Sequence, residues 1–399
     1  MSKKSFGTVV ALKGYKYFKI TFIDRNTEKL ERKYFRIDPK TKQPQKAAEK
    51  EARKWFEDYE RGIRTNTDIT LEAWLTQWLE TYCQPQRADG SGGSVTQKTY
   101  EGYKFHVQYI NKYLGSHKLH TLTDLTISKF FNMLSIQPGL GRSGTGLSMK
   151  SIKNMRRTLI TALNRAVRSG YILKNPAQDT KTPSGEANAE EKVFAFSEEQ
   201  LLKLLGLAEL KGGITHIAVY IAAATGMRIG EVFGLRWQCV DFTDKTIFVN
   251  RSAACTKEYG MMLKTTKTGN SRKIEVDDKL LTKLMQWKLQ QIEHKNMLGE
   301  LYEDKDLVIA NEYGRLMDTN NFSARNYRTL LSELGLDGFN FHSLRHTHAS
   351  ILIKRGIAIN TVSRRLGHSN PSTTLGIYAH LLPDSQSKAV AVMSDVYGS

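Results

Sequence analysis

The chain reads as a multidomain α+β protein. It should hold a small N-terminal β-sheet plus one helix, an all-α middle domain, and a mainly α C-terminal domain with a small antiparallel sheet. Three observations predict this. At 399 residues the chain is long enough for two or three domains. Alternation of apolar and polar residues marks short runs near the N-terminus, while apolar residues at helical spacing dominate most of the remainder. A polar stretch at 179–192, with Pro183 and Gly185, reads as a linker between the second and third parts.

Composition narrows the class. Hydrophobic residues make up 40%, enough for real cores. Lys and Arg number 59 against 40 Asp and Glu, a net charge of +19 with pI near 9.6. Such a balance points to an extended polyanion, nucleic acid before an acidic membrane. No apolar run approaches the length of a membrane span, and the N-terminus is polar and basic without a signal-peptide core, so a cytoplasmic protein is expected. Cys83, Cys239 and Cys255 are scattered and form no C-x-x-C pair, which supports neither a disulfide framework nor a zinc module. No G-x-x-x-x-G-K-[ST] loop is present to suggest ATP use.

Residues 1–64 carry 18 Lys or Arg against 9 Asp or Glu, almost half of the net charge. Tyr15 to Phe22 alternates, with Phe18, Ile20 and Phe22 on one face and Tyr17, Lys19 and Thr21 on the other. Leu30 to Ile37 sets Phe35 and Ile37 opposite Arg32, Tyr34 and Arg36, and Val9 to Leu12 is a third strand candidate. A helix follows through Ala48, Ala52, Trp55, Phe56 and Tyr59. One face of this sheet is therefore basic and aromatic. It is either a solvated surface or a β-ribbon laid in a DNA groove, with Tyr17, Lys19, Arg32, Tyr34 and Arg36 as the candidate contacts.

Leu71, Trp74, Leu75, Trp78, Leu79 and Tyr82 form an amphipathic stripe whose apolar face belongs to a core. After a polar, Gly- and Ser-rich loop at 84–97, Tyr100 to Leu114 and Ile127 to Leu134 give two further helices. A second Gly-rich loop, 138–146, leads into a long helix from about Ser148 to Ser169 with Gly170 at its end. That helix carries Lys150, Lys153, Arg156, Arg157, Arg165 and Arg168. Cations on a helix are usually mere solvation, but six of them without an acid favour phosphate contacts, with the first four as candidates. Beyond the linker, Ser197 and Gln200 make a capping box, and helices run through Leu235. Strands are expected at 246–250, 261–264 and 272–276, then helices at 279–298, 320–334 and 341–354, with a last short one within 384–396.

The chemistry-bearing motifs lie in this third part. Thr225-Gly226-Met227-Arg228-Ile229-Gly230-Glu231 places Arg228 after a Gly turn, at the start of a helix. Lys264-Thr265-Thr266-Lys267-Thr268-Gly269-Asn270 falls between the last two strands. His342-Ser343-Leu344-Arg345-His346 puts His342 and Arg345 on one helical face, and Leu366-Gly367-His368-Ser369 and Gly376-Ile377-Tyr378 follow. Read together, these boxes resemble those of the tyrosine recombinases, the lambda-integrase family, and more narrowly the integrases of phages and conjugative transposons.

The resemblance implies a catalytic series of Arg228, Lys267, His342, Arg345, His368 and Tyr378, with Glu231 in support. Arginine forks would hold the phosphate oxygens, Tyr378 would attack phosphorus, His342 would serve as general base, and Lys267 would protonate the leaving 5′ oxygen. It further implies an arm-type DNA-binding domain at 1–64, a core-binding (SAM-like helical) domain at 65–178 and a catalytic domain at 193–399. The partners would be double-stranded DNA with arm-type and core-type sites, a homotetramer on that DNA, and accessory proteins such as an excisionase and a host DNA-bending factor. No cofactor is expected. A metal site built from His342, His346, His348, His368 and His380 is disfavoured, because H-x-x-x-H here lacks the Glu of H-E-x-x-H and Arg345 stands between the histidines. His346 and His348 are expected to be packing residues. The rivals are DNA relaxation by the same covalent chemistry, as in type IB topoisomerases, and a DNA-binding regulator without catalysis.

Overall fold

The computed structural model describes residues 6–23, 30–60, 69–87, 91–141, 144–183, 194–265, 271–381 and 386–397. It divides into two units, Met1–Pro85 with Lys98–Ala187, and Gln86–Gln97 with Asn188–Ser399. Much of the expected linker and all of the Lys267 turn lie outside the described residues.

The first unit opens with three antiparallel strands in the order β1 (Thr8–Leu12), β2 (Tyr15–Ile23), β3 (Leu30–Arg36), followed by helix α1 (Pro44–Glu60). Alternation decides which face is buried. Phe18, Ile20 and Phe35 point down onto Ala48 and Ala52 of α1, with Phe22, Trp55 and Phe56 packed around them. The register pairs Tyr17 with Arg36, Lys19 with Tyr34 and Thr21 with Arg32, so the opposite face gathers all five candidate DNA contacts.

Four helices complete this unit: α2 (Leu71–Tyr82), α3 (Gln97–Leu114), α4 (Asp124–Ile136) and α5 (Met149–Arg168). Thr70, Thr123 and Ser148 each cap a helix by accepting a backbone N–H at N3. The expected stripe of α2 is buried, and the indole of Trp74 donates to the carbonyl of Ala162 on α5 at 3.1 Å. Ile152, Met155, Leu159, Leu163 and Ala166 form the buried face of α5, and the four larger side chains each contribute up to about 3 kcal/mol by leaving water. Lys150, Lys153 and Arg157 project from its exposed side. Arg156 is a correction to the sequence reading. Its guanidinium donates to Thr180 Oγ1 at 3.0 Å and to the Gln178 carbonyl at 2.8 Å, which pins the chain after α5 to the helix and makes Arg156 a structural residue.

The second unit begins with α6 (Glu198–Lys211), entered through the Ser197–Gln200 capping box, then α7 (Gly213–Thr225) and the short α8 (Ile229–Phe233). Two small sheets follow. Strands β4 (Val240–Asp241), β5 (Thr246–Val249) and β8 (Arg272–Glu275) form one, in that spatial order, and the hairpin of β6 (Arg251–Thr256) with β7 (Gly260–Thr265) forms the other. The sequence reading missed β4 and β6 and did not separate β7 from β8 into different sheets. Strand β6 is hard to see because Arg-Ser-Ala-Ala-Cys-Thr lacks bulky strand formers. It exists because α8 packs on it through Gly230 and Gly234. A Cβ at Gly230 would come within 2.7 Å of the Ala253 carbonyl, and one at Gly234 within 2.8 Å of the Ala253 amide.

Helix α9 (Asp278–Leu298) is followed by α10 (Thr319–Asn321), a π-helical stretch over Phe322–Tyr327, and α11 (Arg328–Glu333). The sequence suggested one regular helix here. The π turn places residues five apart on one side, so both Phe322 and Tyr327 are buried against Phe341. The last four helices are α12 (Phe341–Lys354), α13 (Ile359–Leu366), α14 (Pro371–Tyr378) and α15 (Gln386–Tyr397). Helix α12 joins two apolar clusters. Phe341 and Leu344 belong to the main core of the unit, while Ala349 and Ile353 pack with Val362, Leu366 and the ring of Tyr378. Its most buried aliphatic side chains are Leu344 and Ile353, while Ile351 and Leu352 are half-buried. Among the described residues no helix is long and apolar enough to cross a membrane.

Candidate active site

Helix α7 ends at Gly226, whose left-handed backbone (φ +68°) turns the chain into α8. Arg228 then sits at the N-cap of α8 in an extended conformation, and its backbone N–H donates to Glu231 Oε2 at 2.9 Å. The Arg228 side chain bonds Glu231 Oε1 at 2.9 Å and remains 41% exposed, so much of its fork is open to a ligand.

Glu231 itself is buried. Arg272, on β8, grips it through two hydrogen bonds, Nη1 to Oε1 at 3.2 Å and Nη2 to Oε2 at 2.7 Å. Burial works against the charged carboxyl, but the Arg272 hydrogen bonds and charge, with the Arg228 amide and charge, win and hold its pKa at about 2. Glu231 thus stays anionic and aims Arg228 while neutralising Arg272. The substitution Glu231→Gln should cost about 3 kcal/mol or more of unfolding free energy in urea titration, because it leaves the buried Arg272 charge without its counter-charge.

Arg345 reaches the same place from α12. It is 2% exposed, its Nη1 donates to the Gly226 carbonyl at 2.8 Å, and its Nη2 is buried with no hydrogen-bond partner among the described residues. Burial and the neighbouring Arg228 charge draw its pKa down to about 9, which still leaves it a cation at neutral pH. A buried guanidinium nitrogen without an acceptor is costly, so this atom points to an anionic oxygen that the free protein does not supply.

His342 lies one turn before Arg345, with its ring at the surface. Loss of surrounding water, then the charges of His346, Arg345, Arg228 and His368, lower its pKa. His368 follows the αL residue Gly367 at the end of α13, and Thr374 Oγ1 lies 2.7 Å from its Nδ1. Burial and the charges of Arg345 and Arg228 push His368 down to about 4, so it is neutral at physiological pH. The tautomer in which Thr374 donates to Nδ1 is the one that presents an Nε2–H donor to a ligand.

Tyr378 ends α14 and is 1% exposed. Burial pushes its hydroxyl up to about 12, against the pull of Arg345. The hydroxyl is 2.6 Å from Nδ1 of His346, whose ring stands perpendicular to that of His342 at 4.7 Å. This corrects the expectation that His346 merely packs. The signal was present in the sequence, since His346 is four residues from His342 and so shares its face of α12.

His348 is structural, as expected. Its Nδ1–H donates to the Ala223 carbonyl at 2.9 Å, and its Nε2 accepts from Arg365 Nε at 3.1 Å, which ties α12 to α7 and α13. Burial lowers its pKa to about 4. A histidine whose folded pKa lies below its unfolded value of about 6.5 stabilises the fold fully above that value and loses its contribution as pH falls toward 4. Unfolding free energy should therefore drop by roughly 3 kcal/mol between pH 6.5 and 4 from His348 alone. The pH slope measured by denaturant titration should flatten in His348→Gln.

The structure thus brings Arg228, Glu231, His342, Arg345, His368 and Tyr378 into one site, and Lys267 lies outside the described residues. Arg272, Thr374 and His346 are additions that motif reading did not supply. Among the described residues no three His, Cys, Asp or Glu side chains converge as a metal site.

Comparison with known proteins fits this arrangement. The sequence model of the phage integrase family matches residues 195–384, and that of the phage integrase SAM-like domain matches residues 74–182. A XerC-like tyrosine recombinase of Caldanaerobacter subterraneus is 30% identical over 410 residues, spanning 96% of this chain and 97% of the relative. The ICEBs1 integrase of Bacillus subtilis is 29% identical over 63% of this chain and 67% of its own length. Among solved structures, the Tn1549 transposon integrase in complex with a circular intermediate DNA superposes with a TM-score of 0.65 at 18% identity, covering 82% of this chain and 99% of that one. This chain belongs to the phage integrase family of tyrosine recombinases, enzymes of site-specific DNA recombination.

Proposed function

We propose that this protein is the integrase of a mobile element and that it exchanges DNA strands through Tyr378. The hydroxyl of Tyr378 attacks a backbone phosphorus, leaving a 3′-phosphotyrosine and a free 5′ hydroxyl. A partner strand's 5′ hydroxyl then reverses the step, so the bond energy is kept without ATP. The observation that carries the reading is the buried Nη2 of Arg345, without a hydrogen-bond partner among the described residues, beside Arg228 in the site that holds the tyrosine hydroxyl. Charge that develops on the phosphate oxygens is met by donors already in place, and that is where such catalysis gains most. His342 and the Nε2–H of His368 face the same charge, and Lys267 is the candidate acid for the leaving oxygen.

The direct test is to incubate the protein with duplex DNA spanning the element's junction and to look on a denaturing gel for a covalent protein–DNA adduct. Adduct should form in EDTA as well as in magnesium, because the donors are cationic side chains. Loss on chelation, restored by magnesium or manganese, would point to metal-dependent chemistry instead.

The N-terminal sheet supports an integrase over a simple relaxing enzyme. Tyr17 and Tyr34 pack edge to face at 6.4 Å, and Arg36 stacks on Tyr15 at 4.2 Å, beside Lys19 and Arg32 on the same face. We read residues 1–64 as a second, arm-type DNA reader, and Lys150, Lys153 and Arg157 of α5 as phosphate contacts of a core-binding domain over 65–178. A homotetramer bridging two DNA sites in the bacterial cytoplasm, with an excisionase and a DNA-bending protein setting direction, completes the reading. Deleting residues 1–64 should flatten the dependence of binding on salt, since several phosphate neutralisations are lost, while sparing cleavage of a short core site. Equal salt slopes and equal footprints with and without the segment would make its charge a solvated surface.

A further inference from the structure

The tyrosine hydroxyl presents a chemical problem that the motif residues leave open. It is buried and harder to ionise than in water, so it cannot attack at neutral pH unless a base takes its proton as the bond forms. His342 carries the motif position for that role, but its ring lies at the surface, against the ring of His346 at 4.7 Å, and it is the His346 ring that meets the hydroxyl. The group in contact with the oxygen is Nδ1 of His346, at 2.6 Å, with ring centroids 5.9 Å apart. A base must be within hydrogen-bond reach of the proton it removes, and His346 meets that condition before any DNA is bound.

We propose that His346 is a further catalytic residue of this recombinase, the one that accepts the Tyr378 proton through Nδ1. The inference rests on the reading above that Tyr378 is the nucleophile. In the forward step a lone pair of Tyr378 Oη forms the O–P bond and the bond from phosphorus to the 5′ oxygen breaks. The tyrosine proton passes to His346 Nδ1, and the leaving oxygen takes a proton from a general acid, for which Lys267 is the candidate. In the return step the incoming 5′ hydroxyl attacks and gives its proton to the conjugate base of the general acid, the bond from phosphorus to Tyr378 Oη breaks, and His346 returns its proton to the phenolic oxygen. The tautomer required is the one with its hydrogen on Nε2, which leaves the Nδ1 lone pair facing the hydroxyl.

Arg345 and Arg228 repel one another and leave this corner of the site strongly positive in the free protein. A bound phosphodiester supplies the missing negative charge and makes proton transfer favourable when substrate is in place. His342, freed from the base role, is left with an exposed ring edge to donate to the phosphate.

The test uses the full-length protein and duplex DNA of the element's junction, with adduct formation followed in a single turnover. His346→Ala and His346→Gln should bind DNA as the parent does but cleave about 10²-fold or more slowly, the usual size of a lost acid–base group. Glutamine keeps a hydrogen-bonding group without a base, so it separates proton transfer from mere holding. Added imidazole should restore cleavage to His346→Ala by roughly tenfold or more. Substrate with sulfur in place of the leaving 5′ oxygen needs no acid, and it should rescue Lys267→Ala but not His346→Ala. Cleavage by His346→Gln within about threefold of the parent would overturn the assignment. So would rescue of His346→Ala by the sulfur substrate, or failure of imidazole to help. Tyr378→Phe run alongside separates the two levels: adduct formation in that variant would sink the nucleophile reading itself, whatever His346 does.

Discussion

Tyr378→Phe should abolish covalent adduct formation while leaving DNA binding and folding nearly unchanged. The substitution removes one oxygen, the atom that attacks phosphorus, and keeps the ring that packs against Val362, Leu366 and Ile353. The lost hydrogen bond to His346 is worth about 1 kcal/mol to the fold, far less than the chemistry it removes. Gel-shift affinity within about twofold of the parent, with cleavage below detection, is the expected result.

Arg345→Ala should reduce cleavage by about 10³-fold while weakening DNA binding much less. The guanidinium offers the phosphate a fixed fork at the point where charge builds up, and the loss of one preorganised donor group of this kind costs about 3 kcal/mol or more in the transition state. Folding should suffer as well, because the buried Gly226 carbonyl loses its donor, an effect of about 1–3 kcal/mol. Arg345→Lys separates the two contributions. It keeps the charge but not the planar fork, so it should recover binding and some stability but little of the rate. Single-turnover cleavage beside urea unfolding checks both variants.

The fold was legible where a simple period governs burial. Alternation in β2 and β3 predicted which face of the N-terminal sheet packs on α1, and the stripes of α2 and α5 predicted their buried faces. It was not legible where packing depends on what is absent. Strand β6 is made by the missing side chains of Gly230 and Gly234, and the π turn at Phe322–Tyr327 answers to a five-residue spacing that a helical period hides. The site divides in the same way. Arg228, His342, Arg345, His368 and Tyr378 each stand in a short motif. The residues that set their state act across the fold instead. Arg272 meets Glu231 from another strand, Thr374 orients His368 from the next helix, and His346 gains meaning only when α14 delivers a hydroxyl to it. Arg156 shows the reverse case, a cation on an exposed-looking helix that the following loop turns into a structural brace.

The central claim is that one tyrosine carries the DNA through a 3′ phosphate. Digesting the trapped adduct with protease and nuclease, and sequencing the nucleotide-bearing peptide by mass spectrometry, tests it most directly. The account predicts a nucleotide joined by its 3′ phosphate to Tyr378, and a released strand whose free 5′ hydroxyl a kinase can label at once. A nucleotide on Tyr397 or Tyr327, or a linkage through a 5′ phosphate, would contradict it.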